Sequence, residues 1–323
     1  MNQLVPLSPP ALPSLISAAG DRAALRFVEF FAANIRNRNT RRAYGHAVFD
    51  FLTWCSTLGV TSIAAVQTLH VASWVELRTC EHSAPTAKQG LAALRHLFDW
   101  LVVGQILPVN PAEAVRGPAY SVKVGKTPVL DAAEARTLLD CIDTTTPAGL
   151  RDRALIALEV YSFARVSAAV GMRVEDVYVQ KHRLWVRLHE KGGKEHTLPC
   201  HHTLEEYLRA YIDGCGLADD PKGPLFRTIA RGTGHGSKAQ LTRTAMRRED
   251  AYAMIRRRGA AAGIETRIGN HTFRATGITT YMKNGGALED AAAIANHSST
   301  RTTQLYDRRR DEIHLDEIER IRI

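Results

Sequence analysis

The chain has 323 residues, 45% of them hydrophobic, and a formal net charge of +9 at pH 7. This length predicts two domains, because one domain usually takes roughly 100–200 residues, and the apolar content suffices for ordinary cores. No run of 18 apolar residues occurs, so no membrane-spanning helix is predicted. The positive charge favours a polyanionic partner without identifying it.

The five cysteines are scattered and form neither a C-x-x-C pair nor a Cys/His cluster with zinc spacing. Reduced thiols in a cytoplasm are the expectation. The N-terminus has no charged segment followed by an apolar one, so no secretion signal is predicted. Residues 1–20 are Pro-rich and are predicted to form a loose arm.

Residues 21–116 predict a bundle of four to five helices. The clearest helices cover 40–55 and 86–102, where apolar residues recur at helical spacing, and weaker ones cover 21–35 and 70–78. Thr40 is the predicted cap of the first of these. Arg41 and Arg42 would then lie in a first turn, where positive charge opposes the helix dipole. Contact with a phosphate backbone would explain them; two exposed arginines without a role are the alternative.

Residues 117–128 contain Gly, Pro and Lys without periodicity, and we interpret them as a linker. The second domain, 129–308, starts with a capping-box pattern at Asp131 and Glu134. Three short alternating segments around 177–198 predict a small antiparallel sheet with Lys191 on a hairpin tip. Helices are predicted at about 131–141, 150–163, 202–214, 243–262, 271–283, 288–295 and 300–308.

Positive charge is concentrated between Arg227 and Arg258, where nine Lys/Arg residues face only Glu249 and Asp250. Such a run of charge usually forms a solvated face. Here it adjoins the H-x-x-R helix described below, and this position favours a surface that contacts successive phosphates of a nucleic-acid backbone. The candidate DNA-contacting residues are Arg41, Arg42, Lys88, Lys194, Lys238, Arg243, Arg247 and Arg248.

The second domain also contains an ordered series of polar residues. The series is Arg165, Lys191, His271, Arg274, His297 and Tyr306. His271 and Arg274 belong to H-T-F-R, a spacing that puts both side chains on one helix face. Two guanidiniums, two imidazoles, an ammonium and a phenol suit the attack on a phosphodiester without a metal.

The stretches that hold this series resemble the tyrosine recombinases, the family of phage integrases and Xer-type site-specific recombinases. They are Y-S-F-A-R-V-S (161–167), H-E-K-G-G-K-E-H-T-L-P (189–199), H-T-F-R-A-T-G-I-T-T (271–280) and A-N-H-S-S-T-R-T-T-Q-L-Y (295–306). The resemblance covers roughly residues 20–310. It implies a mainly α fold that closes as a C-shaped clamp on duplex DNA. A helical, SAM-like core-binding bundle would precede a mostly helical catalytic domain with a small antiparallel sheet.

The resemblance also implies roles for the six residues. Tyr306 would be the nucleophile that forms a 3′-phosphotyrosyl intermediate, and Arg165 and Arg274 would neutralise the phosphate. Lys191, with Lys194 as the alternative, would protonate the departing 5′-oxygen. His271 would be a general base and His297 a phosphate ligand. No metal, ATP or other cofactor is implied.

Two positions depart from the family pattern. Ala168 stands where the family usually has an acidic residue that supports the lysine and histidine, and Asn296 replaces the usual glycine before the second histidine. Glu159, Glu175 and Asp176 are possible substitutes for the missing carboxylate, and the sequence does not choose among them.

The implied reaction is strand exchange between two specific double-stranded DNA sites by four protomers, with a sister recombinase or accessory proteins as further partners. It would serve integration or excision of a mobile element, or the resolution of dimers or cointegrates. The implied location is a bacterial cytoplasm, in association with the nucleoid. Residues 309–323 would dock on a neighbouring protomer, or else on their own domain. The alternatives are a type IB topoisomerase or hairpin-end resolvase, and a catalytically silent DNA-binding partner.

Overall fold

The structure is a computed structural model that describes residues 12–122, 125–190, 193–230 and 240–308. The chain divides into two compact units, Met1–Ser121 and Val122–Ile323. The division lies inside the interval 117–128 that was predicted as the linker. The predictions for residues 309–323 lie outside the described residues.

The first unit is helical where the structure describes it. The α-helices are α1 Ser14–Ser17, α2 Asp21–Glu29, α3 Arg38–Thr57, α4 Thr68–Glu81 and α5 Ala84–Val103. Helix α2 continues into a π-helical turn, Phe30–Asn34, and a 3₁₀ turn, Ile63–Ala65, precedes α4.

The prediction of a loose arm over residues 1–20 is wrong for its described part. Leu15 and Ile16 of α1 are 1% and 0% exposed and belong to the core of the first unit. Burial of two large aliphatic side chains stabilises by about 1.5–3 kcal/mol each, which is enough to fix a four-residue helix that the prolines around it would not predict.

The core of the first unit lies between α3, α4 and α5, where Phe51, Trp74 and Phe98 are fully or almost fully buried. Their rings meet edge to face, at centroid distances of 5.5 and 6.1 Å from Phe51. Asn37, and not the predicted Thr40, caps α3, because its side chain accepts hydrogen bonds from the N–H groups of residues 39 and 40.

The second unit contains eight α-helices and five strands among its described residues. The helices are α6 Ala132–Asp140, α7 Pro147–Tyr161, α8 Val166–Val170, α9 His202–Gly214, α10 Arg248–Ala261, α11 Asn270–Lys283, α12 Leu288–Ile294 and α13 Thr300–Gln304. The strands are β1 Val177–Gln180, β2 Arg183–His189, β3 Glu195–Pro199, β4 Arg227–Ala230 and β5 Gln240–Ala245.

The predicted sheet is present as the antiparallel order β1-β2-β3, in which Val186 pairs with Val177 on one side and with Leu198 on the other. A second antiparallel pair, β4-β5, was not predicted. The predicted start of a helix at residue 243 is therefore wrong. The polar sequence of β5 has no two-residue alternation of apolar side chains, which is the signal that identifies a strand.

Helix α7 is the centre of the second unit, and its residues from Ala154 to Glu159 are buried. Helices α9 and α11 pack against it. Helix α11 comes so close that a Cβ at Gly277 would lie inside contact distance of the Val160 carbonyl. The mainly α fold with a small antiparallel sheet, predicted from the sequence, is confirmed.

None of the described helices is both long enough and apolar enough to cross a membrane. The five cysteines are free.

Candidate active site

The connection between α7 and α8 positions Arg165 at the start of α8. Its backbone reverses at Phe163, which has a φ of 51°, a region that a bulky residue rarely adopts. The Phe163 ring is 4% exposed and packs against Ile278 and Met282 of α11. This packing holds the reversal, and the Arg165 side chain remains 35% exposed.

Helix α11 carries both His271 and Arg274. The Arg274 guanidinium is buried, with the residue 2% exposed, and it is bonded to two connections that lie far apart in the sequence. Its Nη1 donates to the Phe163 carbonyl, and its Nη2 donates to the Ala295 carbonyl at 2.6 Å. Arg274 therefore joins the α7–α8 connection to the end of α12.

His297 follows α12 and lies next to this guanidinium. Arg274 Nη2 donates to His297 Nε2 at 2.7 Å, and because Nε2 accepts, Nδ1 carries the proton and donates to Thr303 Oγ1 at 2.8 Å. Thr303 is 0% exposed. Asn296, before the histidine, has a φ of 47°, which Asn tolerates better than most residues. The replacement of the usual glycine is thus compatible with the same turn.

Tyr306 comes two residues after the end of α13 and reaches the same pocket in its own chain. Its ring is stacked on His297, with a centroid distance of 5.9 Å and an interplanar angle of 13°. Thr279 Oγ1 of α11 donates to the Tyr306 carbonyl at 2.8 Å. The structure therefore brings Arg274, His297 and Tyr306 together. Arg165 and His271 lie near enough for the charge of Arg165 to act on Arg274, His271 and His297. The five residues come from four separate segments.

Burial and mutual repulsion of positive charge determine the protonation states in this pocket. Burial, followed by the charge of Arg165, lowers the pKa of Arg274 to about 10, although Tyr306 and Glu190 act in the opposite direction. Burial, Arg274 and Arg165 lower the pKa of His297 to about 4 and also lower the pKa of His271, an exposed residue. Both imidazoles are therefore neutral at pH 7. The Nε2 lone pair of His297 is occupied by the Arg274 hydrogen bond, so of the two imidazoles His271 is the one suited to accept a proton.

Glu190 is the acidic residue of the pocket, and the sequence analysis missed it. Its carboxylate, with a side chain only 6% exposed, accepts a hydrogen bond from Arg165 Nη1 at 2.8 Å. No other hydrogen bond of Arg165 occurs among the described residues, so the Nε and Nη2 edge of the fork is open. Glu190 immediately precedes Lys191 in the hairpin, and this adjacency was the signal available in the sequence.

The three substitutes considered for the missing carboxylate bond elsewhere or not at all. Asp176 accepts from Arg187 and His189 of β2, Glu175 pairs with Arg173, and Glu159 is buried without a hydrogen-bond partner among the described residues. None of them contacts Arg165 or Arg274 in a hydrogen bond or ion pair.

Lys191 lies outside the described residues, and Lys194 on the same hairpin is exposed. The strands on either side of the turn are bonded to the pocket. Glu190 contacts Arg165, and His196 of β3 contacts the Ile294 carbonyl through Nε2 at 2.9 Å. One arm of the hairpin is therefore bonded to Arg165, and the other to the end of α12, where the next carbonyl, of Ala295, accepts from Arg274.

The candidate DNA-contacting residues differ in their exposure and in their contacts within the protein. The exposed ones are Arg42, Lys88, Lys194, Arg243, Arg247 and Arg248. Arg41 donates two hydrogen bonds to the Ile35 carbonyl, which gives it a local structural partner, and Lys238 lies outside the described residues. Two arginines of the basic stretch are internal: Arg227 pairs with Asp220 and Arg258 with the buried Asp152.

Within the described ranges, no group of three or more His, Cys, Asp or Glu side chains could hold a metal ion.

Comparisons with known proteins identify the family of the chain. The model of the phage integrase family matches residues 128–312, more than half of the chain, and the model of the phage integrase N-terminal SAM-like domain matches residues 26–104. The tyrosine recombinase XerD of Corynebacterium glutamicum is 28% identical over 277 residues, which cover 83% of this chain and 86% of the relative. The tyrosine recombinase XerC of Xanthomonas campestris pv. campestris is 27% identical over 303 residues, 91% and 87% of the two chains.

Solved structures share the fold. The XerH site-specific recombinase, in a post-cleavage complex with a palindromic difH substrate, superposes with a TM-score of 0.69 over 96% of both chains at 16% identity. A lambda integrase dimer on a COC′ core site superposes with a TM-score of 0.66 over 90% of this chain and 98% of that one, also at 16% identity. The chain therefore belongs to the phage integrase family and is a site-specific tyrosine recombinase.

Proposed function

We propose that the protein cleaves and rejoins double-stranded DNA through a 3′-phosphotyrosyl intermediate formed by Tyr306. The observation that carries this proposal is the convergence of the Tyr306 phenol, two guanidiniums and two neutral imidazoles in one pocket of the second unit. Four segments that are distant in sequence supply these groups, and each side chain has a use in phosphoryl transfer.

The phosphate would be held by the two arginines. Arg165 presents its Nε and Nη2 edge, which can make two parallel hydrogen bonds to non-bridging oxygens, while Glu190 holds Nη1. Arg274 is fixed by two backbone carbonyls, so its charge is already oriented before DNA arrives. Charge that is oriented in advance stabilises a transition state without reorganisation at the moment of reaction.

In the first step the Tyr306 oxygen attacks phosphorus, a P–O bond to tyrosine forms, and the P–O5′ bond breaks. The phenolic proton passes to a base, for which neutral His271 is suited by its lowered pKa. The departing 5′-oxygen takes a proton from Lys191, with Lys194 as the alternative. In the second step a 5′-hydroxyl gives its proton to the lysine and attacks the phosphotyrosine. The bond between phosphorus and the tyrosine oxygen breaks, and the proton held by His271 returns to that oxygen, which restores the phenol and the phosphodiester.

The partner in this reaction is a double-stranded recombination site, and the assembly is a tetramer on two sites. Support comes from related folds: the XerH and lambda integrase structures are complexes with DNA, and one lambda integrase structure is a tetramer on a Holliday junction. Integration, excision and the resolution of dimers or cointegrates share this chemistry. Accessory proteins or a sister recombinase, and docking of residues 309–323 on a neighbouring protomer, belong to the same proposal.

The chemistry is tested with a nicked suicide substrate made from the DNA that flanks the native locus. The expected result is a covalent protein–DNA adduct that resists denaturant, is lost in Tyr306→Phe and is retained in Tyr252→Phe, the same change on the exposed face of α10. An absence of adduct from the wild type, alone and with a sister recombinase, would instead favour a DNA-binding partner without catalysis.

The outcome of cleavage is tested separately. A plasmid with two copies of the site should yield exchanged products, whereas a plasmid with one site should be relaxed only slowly. Rapid relaxation without exchange would identify a topoisomerase-like activity, which shares the chemistry but not the partner exchange.

A further inference from the structure

The chain enters the second unit beside the residue that precedes Tyr306. The Gly125 N–H donates to the Leu305 carbonyl at 2.8 Å. In return, the Arg308 guanidinium donates to the carbonyls of Gly125 and Thr127, the latter at 3.3 Å. Residues 125–127, called the entry segment below, are therefore bonded to the backbone just before Tyr306 and to the side chain of Arg308 just after it.

This pairing requires a glycine at residue 125. A Cβ at that position would lie far inside van der Waals contact of the Leu305 carbonyl oxygen, and the obstacle is backbone, which cannot turn aside as a flexible side chain can. The φ of Gly125 is not in the left-handed region. The need for glycine therefore comes from the close approach of two backbones and not from an unusual conformation.

The nucleophile's segment needs such support because its own helix is short. Helix α13 has five residues, of which only Thr303 is buried. The Tyr306 ring is only partly buried against the Phe163 cluster. Among the described residues, the backbone of Tyr306 itself is held by hydrogen bonds of its carbonyl with Thr279 Oγ1 and of its N–H with the Thr303 carbonyl.

We propose that the entry segment is a positioning device for the nucleophile: Gly125 and Arg308 fix the backbone of Tyr306 so that its phenol faces Arg274. The inference rests on the proposed function of Tyr306. The chain enters this unit at Val122, close to Gly125.

The test is Gly125→Ala in the full chain, with Gly45→Ala as the matched control, because a Cβ at Gly45 meets only Phe31 at an ordinary 3.9 Å. Adduct formation on the suicide substrate is measured at saturating DNA, and the dissociation constant of the noncovalent complex is measured separately. We expect Gly125→Ala to form the adduct about 10- to 100-fold more slowly, as a misplacement of about 1 Å can cost, with DNA affinity within twofold of wild type.

Hydrogen exchange shows whether the unit remains folded. In Gly125→Ala, peptides that cover 300–308 should exchange faster than in wild type, while peptides from α7 and α11 should be unchanged. Arg308→Ala should act in the same direction. Arg308→Lys, which can reach one carbonyl but not two, should be intermediate.

An adduct rate for Gly125→Ala equal to or faster than wild type would overturn the positioning role and leave the proposed function intact. A slower rate explained entirely by weaker DNA binding would overturn it as well. If wild type itself forms no adduct while binding the DNA, the proposed function falls, and the positioning role falls with it.

Discussion

Glu159 is expected to make the second unit less stable as the pH rises. The residue lies on the central helix α7 and is 0% exposed, and neither carboxylate oxygen has a hydrogen-bond partner among the described residues. Burial therefore raises the pKa of this carboxyl well above its usual value. The folded state holds the neutral acid, whereas the unfolded chain ionises with a pKa of about 4.3.

The sign and size of the effect follow from linkage. Above the unfolded pKa the native state binds one proton more than the unfolded state, so the free energy of unfolding falls with pH until the folded pKa is reached. The slope is about 1.4 kcal/mol per pH unit, which gives a loss of about 2 kcal/mol between pH 4.5 and pH 6. Glu159→Gln cannot ionise and should lack this loss. Glu159→Leu should add a pH-independent gain of about 1–3 kcal/mol, because no unsatisfied polar group remains buried.

Hydrogen exchange of the α7 amides in increasing urea measures this free energy for the second unit within the full chain. The informative quantity is the difference between Glu159→Gln and wild type, because the other titrating groups cancel. This difference should grow by about 2 kcal/mol from pH 4.5 to pH 6. A difference that does not change with pH would mean that the carboxyl is ionised or hydrated in the native state, and the reasoning would fail.

Three further predictions concern the pocket and its support. Thr303→Val removes the acceptor for the His297 Nδ1 proton and should slow adduct formation about five- to tenfold, the effect of losing one hydrogen bond. Thr303→Ser keeps the acceptor and should restore the rate. A Val variant as fast as wild type would contradict the assigned tautomer. Glu190→Ala leaves Arg165 without its partner and should slow the adduct about tenfold at saturating DNA, about the worth of one charged hydrogen bond. Glu190→Gln, which keeps an acceptor, should retain most of the rate, and equal losses in both variants would refute orientation as the role. Gly277→Ala places a methyl group against a backbone carbonyl of α7 and should lower the free energy of unfolding by about 1–3 kcal/mol. Circular dichroism should show this as a lower Tm. An unchanged Tm would show that α11 can move away freely.

The helical elements could be predicted from local pattern because burial on one face imposes a 3.6-residue period. The predicted helices at 40–55, 86–102, 202–214 and 271–283 correspond to α3, α5, α9 and α11 within a few residues at each end. The pattern failed where burial is not periodic. Helix α1 is too short to show a period, and the polar strand β5 has no buried face that alternates.

The site shows the same division. The order and spacing of Arg165, His271, Arg274, His297 and Tyr306 indicated the chemistry, because few other reactions use this set of side chains. Spacing could not indicate that Glu190 is the carboxylate bonded to Arg165. Ala168 shows that the usual carboxylate is missing. The positions of Glu159, Glu175 and Asp176 in the sequence could not show which residue, if any of them, replaces it.

The sequence by itself determined the family and the helical class and indicated the candidate residues for the chemistry, since these depend on side-chain type and on periods shorter than one helix. Only the tertiary structure decided the protonation of the two imidazoles, the partner of Arg165 and the pairing of Gly125 with Leu305. Those properties depend on burial and on distances between segments up to 180 residues apart, and such distances are fixed by packing of the whole unit and not by any local pattern.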